Sequence, residues 1–307
     1  MGKYIVRRIL QMIPVLIGTS FLIYMMVFVL PGDPVEGRCG ERPCPDAYRA
    51  QFEREYNLDK DIFTRYVLYL GKLLQGDLGT NFYRNQVVDE LALRYPTTVK
   101  LALIAIVFII IVGISAGVLA GIRKGGFIDS FITISTLILI SVPVFVLGGL
   151  FQMVFGINLK WFPVTATQGT FYQLLMPGIV LGSLTVAYVA RLTRTNLVEN
   201  LRADYVRTAK AKGLGPARAI GVHALRNSLI PVVTYIGAAF GALMGGAIVT
   251  ERIFNINGIG FFIWRSINQR DGVSVVGAVL VLVMVYLVVN LIVDLLYGVL
   301  DPRISND

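Results

Sequence analysis

This 307-residue chain has little of what enzymes use for chemistry. It contains one histidine, His223, and two cysteines, Cys39 and Cys44. An intramembrane Ser–His hydrolase would need a histidine among its apolar segments, and His223 lies in a basic stretch between two of them. No His-Glu-x-x-His occurs, and no further ligand lies near the two cysteines to complete a four-ligand metal site. No Gly-x-x-x-x-Gly-Lys-[Ser/Thr] run is present, so the chain has no phosphate-cradling loop of its own. Gly258-Ile-Gly260 does not complete a dinucleotide-binding fingerprint. Charge is also sparse, at 15% of residues.

Apolar residues make up 55% of the chain, more than a soluble domain needs for its core. They are gathered into runs without Asp, Glu, Lys or Arg: Ile9 to Leu30, Leu101 to Ile122, Phe131 to Ile157, Leu174 to Ala190, Leu229 to Thr250 and Val273 to Val293. A helix of roughly 20 apolar residues crosses a bilayer core of ~30 Å. Five runs meet that length, and the Leu174 run must use its flanks. The reading is an all-α polytopic membrane protein with six transmembrane helices. The first run is longer than the apolar part of a signal peptide, and Pro31-Gly-Asp-Pro34 follows it instead of a small-residue cleavage site. It reads as a retained span.

The net charge of +9 does not point to nucleic acid, because of where the charges sit. Lys3, Arg7 and Arg8 precede span 1, and Arg123 and Lys124 separate spans 2 and 3. Arg191, Arg194, Arg202, Arg207, Lys210, Lys212, Arg218 and Arg226 separate spans 4 and 5. These positions share one side of a six-span topology, so the positive-inside rule puts them, and both termini, in the cytosol. The chain then divides into a cytosolic N-terminus with span 1 (1–30), an extracytoplasmic subdomain (31–98), a core of spans 2 to 6 (99–300) and a short tail (301–307).

In the external segment, Phe63 to Leu74 has apolar residues near helical spacing, punctuated by Gly71, Gly76 and Gly79. Cys39 and Cys44 bracket a turn-forming Gly-Glu-Arg-Pro. An oxidising outer face favours a disulfide between them, with two free thiols as the alternative. Trp161 reads as a headgroup-level anchor.

Several residues are candidates for a cargo path or gate. Pro143 in span 3 is a hinge or simply a bend in the bundle. Gly237, Gly241 and Gly245, four apart on span 5, form a stripe for close helix packing, its partner helix open. Glu251, at the outer end of span 5, could meet a passing substrate or a docked protein, or be a solvated helix-end charge. Asp294 lies near the inner end of span 6, one turn from Asn290. It is a functional candidate as an intramembrane ionisable group, or pairs with an inner-face arginine.

The most informative stretch is the cytosolic loop between spans 4 and 5. Asp204 can cap a helix beginning at Tyr205. Gly213, and then Gly215-Pro216, can end it after about three turns. Thr208, Ala209 and Ala211 are small enough for close approach to another surface. Arg207, Lys210 and Lys212 can meet acidic groups on a partner, or anionic headgroups. A plain positive-inside loop is the competing reading.

These residues resemble a family. Arg207-Thr-Ala209, three residues, Gly213 and later Leu229-Ile-Pro231 are similar to the Glu-Ala-Ala…Gly…Leu-Pro pattern of ATP-binding-cassette import permeases. Arg207 stands where that pattern has Glu, and Thr208 where it has the first Ala. Further stretches resemble the B-type subunit of the dipeptide/oligopeptide branch. They include Leu30-Pro-Gly-Asp-Pro34, Gly76-Asp-Leu-Gly79, Ala190-Arg-Leu-Thr-Arg194, Gly245-Gly-Ala-Ile-Val-Thr-Glu251 and Leu300-Asp-Pro-Arg-Ile304. The Cys39–Cys44 insert is not part of that pattern.

The resemblance implies a type I importer permease fold in a prokaryotic inner membrane. It implies four partners: a second, similar permease subunit, two ATPase subunits and an extracytoplasmic binding protein. ATP and magnesium would be bound by the ATPases and no cofactor by this chain. The loop, with Asp204, Tyr205, Arg207, Thr208, Ala209, Lys210, Ala211 and Gly213, would couple ATP binding to alternating access. Related permeases carry dipeptides, oligopeptides, nickel chelates, haem or glycans. A self-contained channel or secondary carrier is the reading from another class. Carriers usually show repeat-related broken helices or several charges at mid-membrane, and these spans are nearly free of charge.

Overall fold

The computed structural model describes residues 2–28, 35 and 44–300; the side chains of 2–5, 245, 246, 294 and 296–300 lie outside that description. Among the described residues the chain is helical, apart from one isolated bridge between Thr80 and Gln86. Span 1 is α1 (Gly2–Phe28). Two shorter helices follow, α2 (Asp46–Glu55) and α3 (Ile62–Leu74). The helical pattern read over Phe63 to Leu74 is α3, and Asp61 caps it by accepting the Thr64 N–H at 3.0 Å.

Span 2 is α4 (Val87–Ile122), interrupted by a wide π-type turn over Ile109–Ile114. It starts well before the apolar run at Leu101. Charge conceals those first turns in the sequence, where Glu90 and Arg94 form an i,i+4 ion pair.

Span 3 departs most from expectation. It is two helices, α5 (Phe127–Ser141) and α6 (Val144–Asn158), bent by 104° at a short break. Proline pushes its predecessor out of helical geometry, and Val142 is extended, at φ −95°, ψ 122°. Pro143 is therefore a break, not a gentle kink.

Span 4 is α7 (Phe171–Arg202). Its 32 residues reach about 48 Å, some 18 Å beyond a ~30 Å hydrocarbon core. A single extended residue, Ala203, then leads to α8 (Asp204–Ala211). Span 5 is α9 (Pro216–Met244), its helix continuing to Gly246. The short helices α10 (Ile248–Ile253) and α11 (Ile259–Asn268) precede span 6, α12 (Gly272–Leu300).

Missing side chains bring the helices together. A Cβ at Gly117 of α4 would lie 2.5 Å from the Ala190 carbonyl oxygen of α7. Gly113 and Gly121 face Val189 and Leu197 of α7, while Gly178 and Gly182 of α7 face Ile104 and Ala105 of α4. The α4–α7 pair is thus built at small-residue spacing, and its buried residues Leu101, Ala105, Ile109, Val186 and Val189 form the centre of the main core. The expected stripe on span 5 also packs tightly: Gly237 meets Val293, and Gly241 meets Tyr286 and Asn290, all on α12. Its partner is this chain's own last span, which excludes these two glycines from an interface with another subunit. Gly245 lies outside the described surroundings.

Two smaller cores close the ends. At the end away from α8, Val35, Phe52, Leu78, Val87, Ile259 and Phe262 bury one another. At the α8 end, Leu197, Val206 and Ala224 do so.

Candidate functional site

The geometry of α8 follows from its sequence. Val206 and Ala209 point inward, at 0% and 7% exposure, and Val206 locks the helix onto Leu197 of α7 and Ala224 of α9. Arg207, Thr208, Lys210, Ala211 and Lys212 are exposed, as are Asp204 and Tyr205. Ala209 therefore seats the helix instead of offering a contact surface. The free face carries three basic side chains around Thr208 and Ala211.

Asp204 does not cap α8. Ala203 holds the cap position, and Asp204 is the first helical residue. From there its carboxylate lies 3.6 Å from the Arg207 guanidinium and favours the positive end of the helix dipole. The helix has 8 residues, about two turns rather than three. It ends in a two-bond exit: the Gly213 N–H donates to the Lys210 carbonyl at 3.0 Å, and the Leu214 N–H to the Ala209 carbonyl at 3.2 Å. Gly213 sits at φ +82°, where glycine is unstrained. Gly215 and Pro216 do not end α8; they start α9, Pro216 filling its first position.

Polar contacts that the sequence did not reveal fix α8 to the spans. The Tyr205 hydroxyl donates to Asn200 Oδ1. Asn200 Nδ2 donates to Ser228 Oγ at 3.1 Å and to the Asn196 carbonyl at 2.9 Å. Ser228, fully buried, donates to the Ala224 carbonyl at 2.7 Å. The end of α7, α8 and the start of α9 thus share one hydrogen-bonded knot. Nearby, Arg194 of α7 grips Asp129 of α5 through two nitrogens, one at 2.7 Å, and Asp129 also accepts the Gly125 N–H. Bidentate contact of this kind is geometrically specific. It ties the first turn of the bent span to the helix that carries α8. The only sequence signal for it was an acid at the head of an apolar run.

Glu251 is fully buried, not solvated, which removes it from any open path. Thr98 Oγ1 of α4 donates to its Oε1 at 2.7 Å, and the Phe261 N–H of α11 to its Oε2 at 2.8 Å. Thr98 in turn accepts the Ile259 N–H at 3.0 Å. Gly258 and Gly260 leave the room this carboxylate fills. Burial pushes the Glu251 carboxyl up to about 7, against the lowering by its donors. The same hub includes Gln152 of α6, which donates to the carbonyls of Val164 and Ile253. A Cβ at Gly148 of α6 would meet Ile253 and Phe254. Glu251 clamps α10 and α11 onto α4.

Pro143 is placed at the break of span 3, and Gly241 against α12. The side chain of Asp294 and the whole of Cys39 lie outside the described residues, so the expected Cys39–Cys44 bridge is described at one end only. Among the described residues no cysteine is a free thiol. His223 is half-buried at the start of α9.

Known proteins align with this chain along its whole length. Residues 113–306 match the family described as binding-protein-dependent transport system inner membrane component. Residues 1–102 match the N-terminal family of such membrane components. The di/tripeptide transport system permease protein DppB of Pseudomonas aeruginosa is 37% identical, covering 100% of this chain and 99% of the relative. The dipeptide transport system permease protein DppB of Bacillus subtilis is 36% identical, covering 99% and 98%. The glutathione transport system permease protein GsiC of Escherichia coli is 35% identical, covering 99% of each. With matches end to end on an all-helical, multi-pass membrane fold, the chain belongs to the family of binding-protein-dependent transport system inner membrane components and has the type I ABC importer permease fold.

Proposed function

We propose that this chain is one of two membrane-spanning subunits of an ATP-driven importer of small peptides, and that α8 is the surface on which an ATPase subunit docks. The observation that carries the docking reading is the exposed basic face of α8 on a helix locked from behind to α7 and α9. A force applied to α8 reaches both spans. ATP on a partner can shift the chain between inward-facing and outward-facing states only through contacts that differ between them. A short rigid helix seated in a partner's groove is suited to convey that difference.

Both termini and α8 lie in the cytosol by the distribution of Lys and Arg, and the end formed by α2, α3 and α11 faces outward. A binding protein delivers cargo there. Peptide is the cargo favoured by relatives that carry dipeptides, tripeptides or glutathione in their names. The route runs along the face shared with a second, similar permease subunit. Its support is that this chain's interior is filled by apolar side chains. Gly241 and Glu251 do not line that face, since both are enclosed in the chain's own packing.

Reconstitution tests the reading. The purified chain alone is expected to hydrolyse no ATP. Peptide uptake into vesicles is expected only with the second permease, the ATPases and the binding protein all present. Uptake of peptide by vesicles holding this chain alone would establish a self-contained carrier instead.

A further inference from the structure

At the end away from α8, a cavity of about 150 Å³ lies between α1, α3 and the start of α12. Tyr24 and Phe28 of α1 form one wall, Arg65 and Tyr69 of α3 another, and Val273 and Val276 of α12 the third. Arg65 Nε and the Tyr69 hydroxyl are buried and have no hydrogen-bond partner. Buried donors without acceptors are rare, and two lining one cavity call for an acceptor inside it. Burial pushes the Tyr69 phenol up, so it stays protonated and able to donate. An arginine beside a phenol suits an anionic oxygen group, phosphate above all.

The rim differs. Glu55 and Asp77 are exposed at the edge of the cavity, and Lys72 lies there over the Tyr56 ring, 5.8 Å from its centroid, its ammonium donating to the Glu55 carbonyl at 3.1 Å. The two carboxylates attract an ammonium group. Beside them α3 turns apolar residues outward: Val67 is 64% exposed, Leu74 89%, and Leu68 is both exposed and part of the cavity wall. At 13 residues α3 is too short to cross a bilayer. An amphipathic helix of this kind lies in the plane of the membrane interface.

We infer that this cavity binds the headgroup of a zwitterionic, amine-bearing phospholipid, its phosphate on Arg65 and Tyr69, its ammonium toward Glu55 and Asp77, and its acyl chains along the exposed face of α3. The site does not depend on which cargo the transporter carries. Under the topology proposed above it belongs to the outer leaflet, and it would fasten span 1 to span 6 and α3.

The test is native mass spectrometry of the delipidated full-length chain in its native assembly. It would be titrated separately with phosphatidylethanolamine, phosphatidylglycerol and phosphatidylcholine of identical acyl chains. One phosphatidylethanolamine per copy is expected to bind, about tenfold more tightly than the other two. Arg65→Gln and Tyr69→Phe are each expected to weaken it by about tenfold. Tyr69→Phe removes only a hydroxyl with no protein partner, so folding is retained and the comparison stands if Arg65→Gln fails to assemble. Equal binding of the three lipids would overturn the assignment, as would a Tyr69→Phe protein that binds like the parent, which would mean a water-filled cavity. Displacement of the lipid by millimolar O-phosphoethanolamine would overturn the lipid reading in favour of a soluble headgroup.

Discussion

Two residues carry much of the account, for different physical reasons. Nothing lies within 4 Å of the place a Gly213 side chain would take, so the position is constrained by its backbone alone. Gly213→Val is therefore expected to strain the α8 exit and lower coupled uptake at least tenfold with the spans still inserted. Gly213→Asn, which tolerates the left-handed region, should keep most of the activity. Equal loss in both variants, measured as peptide uptake per ATP hydrolysed, would show that bulk matters there. Glu251 is constrained by its partners. Glu251→Ala leaves Thr98 and the Phe261 N–H without their acceptor and is expected to cost about 3 kcal/mol, read as a drop in melting temperature. Glu251→Gln keeps an acceptor and should cost far less. Because burial raises its pKa, folded Glu251 holds its proton more tightly than the unfolded chain does. That contribution is complete below about 4.5 and is lost as pH rises through about 7. The parent's melting temperature should fall across this window, and the Glu251→Gln protein should lose that part of the slope. The sequence placed Gly213 correctly because a glycine after a short helix has a local meaning. It misplaced Glu251 because burial depends on Thr98 and Phe261, which are far away along the chain.

Among the elements, the helix pairs show what a pattern can and cannot say. The stripe at Gly237 and Gly241 was legible as a packing face, yet nothing local named α12 as its mate. An equivalent stripe at Gly113, Gly117 and Gly121 is hidden in an almost uniformly apolar run. There every face of a helix looks alike, and only close approach to α7 sets one apart. Gly117→Leu should force α4 and α7 apart and prevent stable assembly, since a Cβ alone would overlap the Ala190 backbone. Gly221→Ala in α9 meets nothing within 4 Å and should melt like the parent. If Gly117→Leu melted unchanged, the close α4–α7 contact would be wrong. The 104° break in span 3 is another partial reading. Pro143 announced a disturbance, but its size is set by the hub that holds α6 against α10 through Gln152 and Gly148.

At the scale of the whole molecule, membrane character and the number of apolar runs were legible because a bilayer demands long, uncharged helices. The ends of the spans were not, because α4 and α7 continue beyond their apolar runs as charged helical turns. That extension matters: at about 48 Å α7 is longer than a ~30 Å hydrocarbon core, and α8 follows directly at its end. The central claim is that α8 is a docking helix with one face seated and the other free. Single cysteines at Thr208, Ala209 and Ala211, in a protein otherwise without cysteine, would be tested for cross-linking to purified ATPase subunits. Cross-links are expected from Thr208→Cys and Ala211→Cys, and none from Ala209→Cys, which is buried on the seated face. A cross-link from the Ala209 position as strong as from the other two, or none from any, would contradict the account.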